Sequence, residues 1–265
     1  MASTITVRRL DFPIEEPLPR YWFNGSAVLT HAVNGLNLIF PLGERFFVRS
    51  VLHYQDRVED PALLDRVRGF AGQESQHGRS HEQAFRVLEE QGFEIQSWLD
   101  WYDRVAYQRL EQLVPPAVRL SITVALEHFT ATMAELELTN DFLAKAHPSM
   151  ADLLRWHAAE EIEHKSVAFD VLKLVHPSWL LRIFGAAWAA AVLMFFWGSA
   201  MRHLHRQDPE STRERRKRET LEARAEGHRR TRFLEQGLLP YLRPGFHPDD
   251  IDNAHLAAEY LAGRV

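Results

Sequence analysis

From about residue 26 onward, apolar residues recur at a helical period, and a proline or glycine stands at almost every joint between the stretches. No later stretch alternates apolar and polar residues as a half-buried strand would. This pattern restricts the chain to an all-α fold. Residues 42–56 put Leu42, Phe46, Phe47 and Val51 on one helical face, with Pro41 at the first turn. Asp60-Pro61 reads as an N-cap followed by a first-turn proline, opening a helix that runs to about residue 91, where Gly92 stops it. A shorter helix over 97–114 precedes Pro115-Pro116. Residues 117–145 and 149–175 read as two long helices, closed by His147-Pro148 and His176-Pro177. Prolines at 13, 17 and 19 bar a helix from residues 1–24, which read as an extended arm, and 249–262 reads as a last short helix.

Composition excludes several chemistries. The chain of 265 residues has no cysteine, so disulfides, thiolate metal sites, iron–sulfur clusters and thiol nucleophiles are out. Its formal charge is −5, which argues against nucleic acid as a partner. No glycine-rich phosphate loop or serine-centred elbow is present. The first 20 residues lack an apolar core, so no secretory signal is read there, and a cytoplasmic setting is expected.

The chemistry lies in the acids and histidines. Glu74-Ser75-Gln76-His77 and Glu161-Ile162-Glu163-His164 each place a carboxylate and an imidazole three residues apart, on one helical face and within reach of one metal ion. Taken singly such pairs are common, and a helical glutamate is ordinarily solvated. Placement carries more weight. Glu44 precedes Glu74 by 30 residues and Glu127 precedes Glu161 by 34, each lone glutamate lying on the helix just before a paired motif. Glu44 and Glu74 both fall about 20 Å from the turn between their helices, so antiparallel packing brings them level. The second couple comes level only if its first helix ends early, near Asn140. Convergence of all four carboxylates is therefore the requirement on the fold.

A Glu on each of two helices and a Glu-x-x-His on each of two others is the pattern of di-iron and di-manganese four-helix bundles. Over roughly residues 40–170 the sequence resembles the ferritin-like di-iron carboxylate superfamily. Its segments PLGERFFVRSV, FAGQESQHGRSH, ALEHFTA and WHAAEEIEHKSVAFDV are similar to a bacterial family described as predicted metal-dependent hydrolases. The resemblance implies a ferritin-like four-helix bundle with additional helices. It also implies six ligands, Glu44, Glu74, His77, Glu127, Glu161 and His164, for two divalent cations. Two histidines among four carboxylates favour iron, with manganese next. In resembling arylamine oxygenases, a further histidine ligand sits four residues before the second motif's glutamate. That position here is His157, either a seventh ligand or a residue bonded behind the ligands. His81 occupies the position of the radical tyrosine in ribonucleotide reductase small subunits, so a radical-storing role is not expected. It is read as hydrogen-bonded near the site or exposed, and Glu160 and Glu163 as surface residues or bonded behind the ligands, with His81 and Glu160 the candidates for that supporting role. His128 points about 100° away from Glu127 and is read as structural.

Residues 183–201 form a run of 19 without charge, long enough at about 28 Å to span a bilayer. A span, an in-plane helix at the inner membrane face, a wholly buried helix and a homodimer interface all satisfy it, with membrane-surface association favoured. The following 206–230 is dense in charge, but its Arg and Glu interleave as on a solvated helix. The expected layout is an arm (1–24), a di-metal bundle (25–176), an apolar helix (177–206) and a charged helical region (207–265).

Three functions fit. The favoured expectation is a di-iron oxidoreductase, activating O2 on a small apolar or aromatic substrate with an external electron donor. The alternative is a metal-dependent hydrolase using a dinuclear site and a water. Third is a non-enzymatic metal-binding or membrane-associated protein.

Overall fold

Ser26 starts the first long helix: its hydroxyl accepts the Leu29 N–H at 3.2 Å, the bond expected of an N-cap. In the computed structural model, which describes residues 5–10, 12, 18–140, 142–225 and 233–262, this helix, α1, runs Ala27–Leu52. It passes straight through Pro41, where the sequence pattern predicts a helix start. A mid-helix proline costs a ladder hydrogen bond and clashes with the preceding turn. Here the apolar residues on both sides of Pro41, Leu38, Ile39, Phe46 and Phe47, are all buried, and their burial outweighs that penalty.

α2, Pro61–Glu90, begins as the sequence pattern predicts, with Asp60 accepting the Ala62 N–H at 3.1 Å. Gly92, at φ +85°, turns the chain just beyond its end. The segment expected as one helix over 97–114 is α3, Gln96–Tyr102, a π-helical stretch Asp103–Leu110 and a last turn α4, Glu111–Leu113. α5, Pro116–Thr139, ends at Asn140, shorter than the predicted 117–145. The stretch expected as 149–175 breaks into α6, Pro148–His164, and α7, Val167–Val175. At the break, the buried Lys165 ammonium donates to Ile251 O and Asn253 Oδ1, both at 2.6 Å. Those loop acceptors lie outside any helical pattern, so the break had no local signature. α8, Trp179–Gln207, carries the uncharged run; α9, Arg213–Ala225, and α10, Ala254–Leu261, complete the chain. Pro13, Pro17 and the 226–230 end of the charge-dense region lie outside the described residues.

Among the described residues no strand forms; Phe23 and Ala146 make one isolated bridge. α1 lies along α2 and α5 along α6, while α8 packs across both α1 and α5. At the α5–α8 crossing a Cβ on Gly185 would lie 2.7 Å from the backbone carbonyl atoms of Ser121. Gly185→Ala must therefore part the two helices, and a loss of about 1–3 kcal/mol is expected by chemical denaturation.

Up to residue 201 the outer face of α8 is uncharged and open: Leu180 is 70% exposed, Met194 60% and Phe195 59%. It is the one described helix long and apolar enough to cross a membrane, with 28% of its most apolar window buried. A wholly buried helix is thereby corrected: α5 and α1 cover one side only. α9 is the expected solvated helix on its outer face, with the exposed Arg218 paired to Glu222 at 3.7 Å, while Arg215 pairs with Glu219 at 2.6 Å on its inner side. Glu219 itself turns inward to accept Ser26 Oγ–H at 2.8 Å and the Val28 N–H at 2.9 Å.

Candidate metal centre

α1, α2, α5 and α6 each turn one acidic turn toward a common axis. Glu44 comes from α1, Glu74 and His77 from α2, Glu127 from α5, and Glu161 and His164 from α6; all six are buried. The early end of α5 brings its glutamate level with α6. His164 Nε2 lies 3.2 Å from Glu74 Oε1, 3.3 Å from Glu127 Oε2 and 3.6 Å from Glu161 Oε2. His77 Nδ1 lies 3.8 Å from Glu161 Oε1 and 4.0 Å from Glu74 Oε2. Donor atoms of Glu44, Glu74 and His77 lie within 4.8 Å of one another, as do those of Glu74, Glu161 and His164. Glu74 belongs to both groups.

The polar accounting is more telling than the distances. Both carboxylate oxygens of Glu44, Glu74 and Glu127, together with His77 Nδ1 and His164 Nε2, are buried without a hydrogen-bond partner. Native interiors hold only a few such atoms per hundred residues, and here eight occur in one cluster. Oxygen and imidazole nitrogen donors, stripped of hydrogen bonds and gathered from four helices, fit the ligand shell of divalent cations.

The electrostatics agree. Burial pushes Glu44 well above the carboxylate range, and the neighbouring Glu74, Glu161 and Glu127 push it further. Glu74 is raised in the same way, first by burial and then by Glu127. Burial raises Glu127 to about 7, against the pull of His164. Glu161 is the exception: burial would raise it, but the hydrogen bond with His157 and the nearby His164 hold it well below the usual range. His164 is held well above the usual imidazole range by Glu127 and Glu161, in spite of burial. The cluster thus carries protons that a bound cation would displace.

His157 joins this cluster: its Nε2 lies 2.8 Å from Glu161 Oε1 and 3.9 Å from Glu44 Oε1. Its Nδ1 meets His81 Nε2 at 2.6 Å, and His81 Nδ1 meets Asn37 Oδ1 at 2.9 Å. His81 and Glu160 are fully buried. Glu160 Oε2 lies 3.0 Å from His77 Nε2. His128 stands apart, stacked on Tyr241 and bonded to Gly237 O at 2.9 Å; burial lowers it to about 4.

Sequence reasoning missed three contacts. Gln73 Oε1 lies 2.9 Å from His164 Nδ1, Thr130 Oγ donates to Glu161 Oε2, and Asn37 holds His81. Helical spacing offered a signal for two of them, because Gln73 is four residues before His77 and Thr130 three after Glu127.

An all-α bundle around a buried carboxylate–imidazole cluster is the scaffold of a metal-dependent protein. The family of predicted metal-dependent hydrolases matches residues 6–252, and the chain belongs to that family. No curated protein and no solved structure matches it. Membership overturns the expectation of an O2-activating oxidoreductase. The physical reason for the error is that four carboxylates and two imidazoles specify where cations sit, not which reaction they serve. The same donors suit a cation acting as a Lewis acid.

Proposed function

We propose that the cluster holds two divalent cations, iron or manganese, and that the chain hydrolyses an ester or amide of a small apolar or aromatic substrate. The observation that carries this reading is the set of eight buried, unpartnered donor atoms converging from four helices in a chain of this family. Glu44, Glu74, Glu127, Glu161, His77 and His164 would hold the cations, with His157 beside them. When bound, such cations polarise a scissile carbonyl and lower the pKa of water. The chain's own residues supply the rest. Glu161 accepts from Thr130, which fixes its carboxylate. The His157–His81 pair forms a two-ring hydrogen-bonded chain behind Glu161.

Substrate class is read from an apolar cavity of about 80 Å³, whose walls include none of the six acids and histidines. Ile39 and Phe46 of α1, Leu126 of α5 and Trp188 of α8 line it, with the hydrogen-bonded Tyr102–Tyr107 pair. Leu126 directly precedes Glu127, and the Tyr107 hydroxyl faces Gly43, the neighbour of Glu44. Such walls favour a small apolar group.

The test is anaerobic. The full chain, stripped and reloaded with Mn(II), is assayed on nitrophenyl esters of increasing acyl length, aryl amides and phosphoesters. Oxygen-independent turnover that EDTA abolishes and Mn(II) restores is expected, with short acyl groups preferred over long ones. Two bound cations per chain and no turnover of any substrate would overturn the reading in favour of metal binding without catalysis.

A further inference from the structure

We infer that Arg8, on the N-terminal arm, is a positioning residue for both histidines of the metal centre, acting through two branches of one hydrogen-bond network. The inference rests on the metal-centre reading above. The arm lies in a trough on α2. A Cβ on Gly69 would meet Ile5 Cβ at 2.6 Å, and one on Gly72 would fall equally close to Val7. This close approach delivers Arg8 to α6. Its guanidinium, with a side chain 11% exposed, donates to Glu160 Oε1 at 3.0 Å and to both Glu163 oxygens at 2.8 and 3.1 Å.

The first branch is short. Arg8 occupies Glu160 Oε1, so Oε2 is the oxygen that faces His77 Nε2, at 3.0 Å. A carboxylate oxygen accepts, so the ring donates from Nε2 and leaves Nδ1 bare toward Glu74 and Glu161. The second branch runs through Gln73. Its Nε2 faces Thr6 O at 3.0 Å and Glu163 Oε2 at 2.6 Å. Both are pure acceptors, so the amide cannot be turned over. Oε1 must then face His164 Nδ1, and that nitrogen must carry a proton. His164 Nε2 is thereby left to Glu74, Glu127 and Glu161.

One arginine, about 150 residues away in sequence from α6, thus sets which nitrogen of each ring is presented to a cation. Groups that orient metal-ligating histidines in this way typically change metal affinity by about 10–100-fold when removed.

Co(II) binding to the metal-free full chain tests this, read by chelator competition and by visible absorption, which reports ring orientation about the ion. Arg8→Ala is expected to weaken Co(II) binding at least about tenfold and to alter the visible bands. Arg8→Lys keeps the charge but reaches one carboxylate rather than two, and is expected between Arg8→Ala and the wild type. Arg20→Ala is the control for general loosening. Arg20 also follows the arm, bonding Gln91 O at 3.0 Å and Asp208 at 3.4 Å, with no route to either histidine. It is expected to bind Co(II) as the wild type does. Wild-type affinity and bands in both Arg8 variants overturn the inference, as does equal weakening in Arg8→Ala and Arg20→Ala with unchanged bands. A wild type that binds no Co(II) removes the metal-centre reading itself, and the inference with it.

Discussion

Glu44→Gln is expected to have two opposite effects: loss of metal and a more stable metal-free protein. Both Glu44 oxygens are buried and unpartnered, and burial together with Glu74, Glu161 and Glu127 opposes its charge. Above the pH at which Glu44 loses its proton, a neutral amide of the same shape relieves that repulsion, and each kcal/mol relieved raises Tm by about 2–4 °C in a protein of this size. Metal affinity should move the other way. Disturbing a residue behind the ligands costs about 10–100-fold, so removing a ligand should cost more than about 100-fold, with Mn(II)-dependent hydrolysis falling in parallel. Thermal unfolding in EDTA and Mn(II) titration read the two effects separately. An ordinary buried ion-pair residue behaves differently, because its neutral variant destabilises. A metal-free Glu44→Gln protein that melts well below the wild type would sink the assignment.

The second large effect is on pH dependence. Metal-free stability should fall as pH rises above about 6.5, and the gap between Mn(II)-loaded and metal-free protein should widen over the same range. The sign follows from proton counts. Glu44, Glu74 and Glu127 have folded-state pKa values above the ordinary 4.5, Glu127 at about 7. Between 4.5 and those values the folded chain holds protons that the unfolded chain has lost, so stability falls with rising pH. His164, raised above 6.5, acts in the same direction above that pH: its contribution is full below 6.5 and is lost on the way to its folded value. Buried neutral histidines oppose this only at lower pH. His77 and His81 are depressed by burial, and His128 and His205 lie at about 4, so each adds stability with rising pH up to 6.5 and then stops. Above 6.5, of the groups in the cluster, the carboxylates and His164 are left to act, with Glu160, raised by burial, on the same side and the buried Lys165, lowered, opposing them. A cation displaces those same protons, so its contribution grows as they become easier to remove. Unfolding midpoints in EDTA and in Mn(II) from pH 6.5 to 8.5 provide the check; a gap that does not change with pH would contradict the proposal.

Local chemistry made part of the architecture legible. Asp60-Pro61 and Gly92 mark real ends because a cap and a left-handed glycine act within a few residues. Early termination near Asn140, which the Glu127–Glu161 register demanded, is where α5 stops. Pro41 misled, since its local cost is visible in sequence whereas the burial that offsets it is not. The break after His164 was equally hidden, because Lys165 is held by Ile251 and Asn253, nearly 90 residues on.

Alone, the sequence determined that the chain is helical, that cysteine chemistry is absent, and which acids and histidines share helical faces. These are properties of period and spacing, governed by residues within a turn or two of each other. Only the tertiary structure decided that the four glutamates meet, three of them without hydrogen-bond partners, that an apolar cavity opens between α1, α5 and α8, that one side of α8 stays open, and that Arg8 reaches α6. Those facts depend on contacts between segments as much as 155 residues apart, and no local pattern records which side chain arrives at the other end of such a contact.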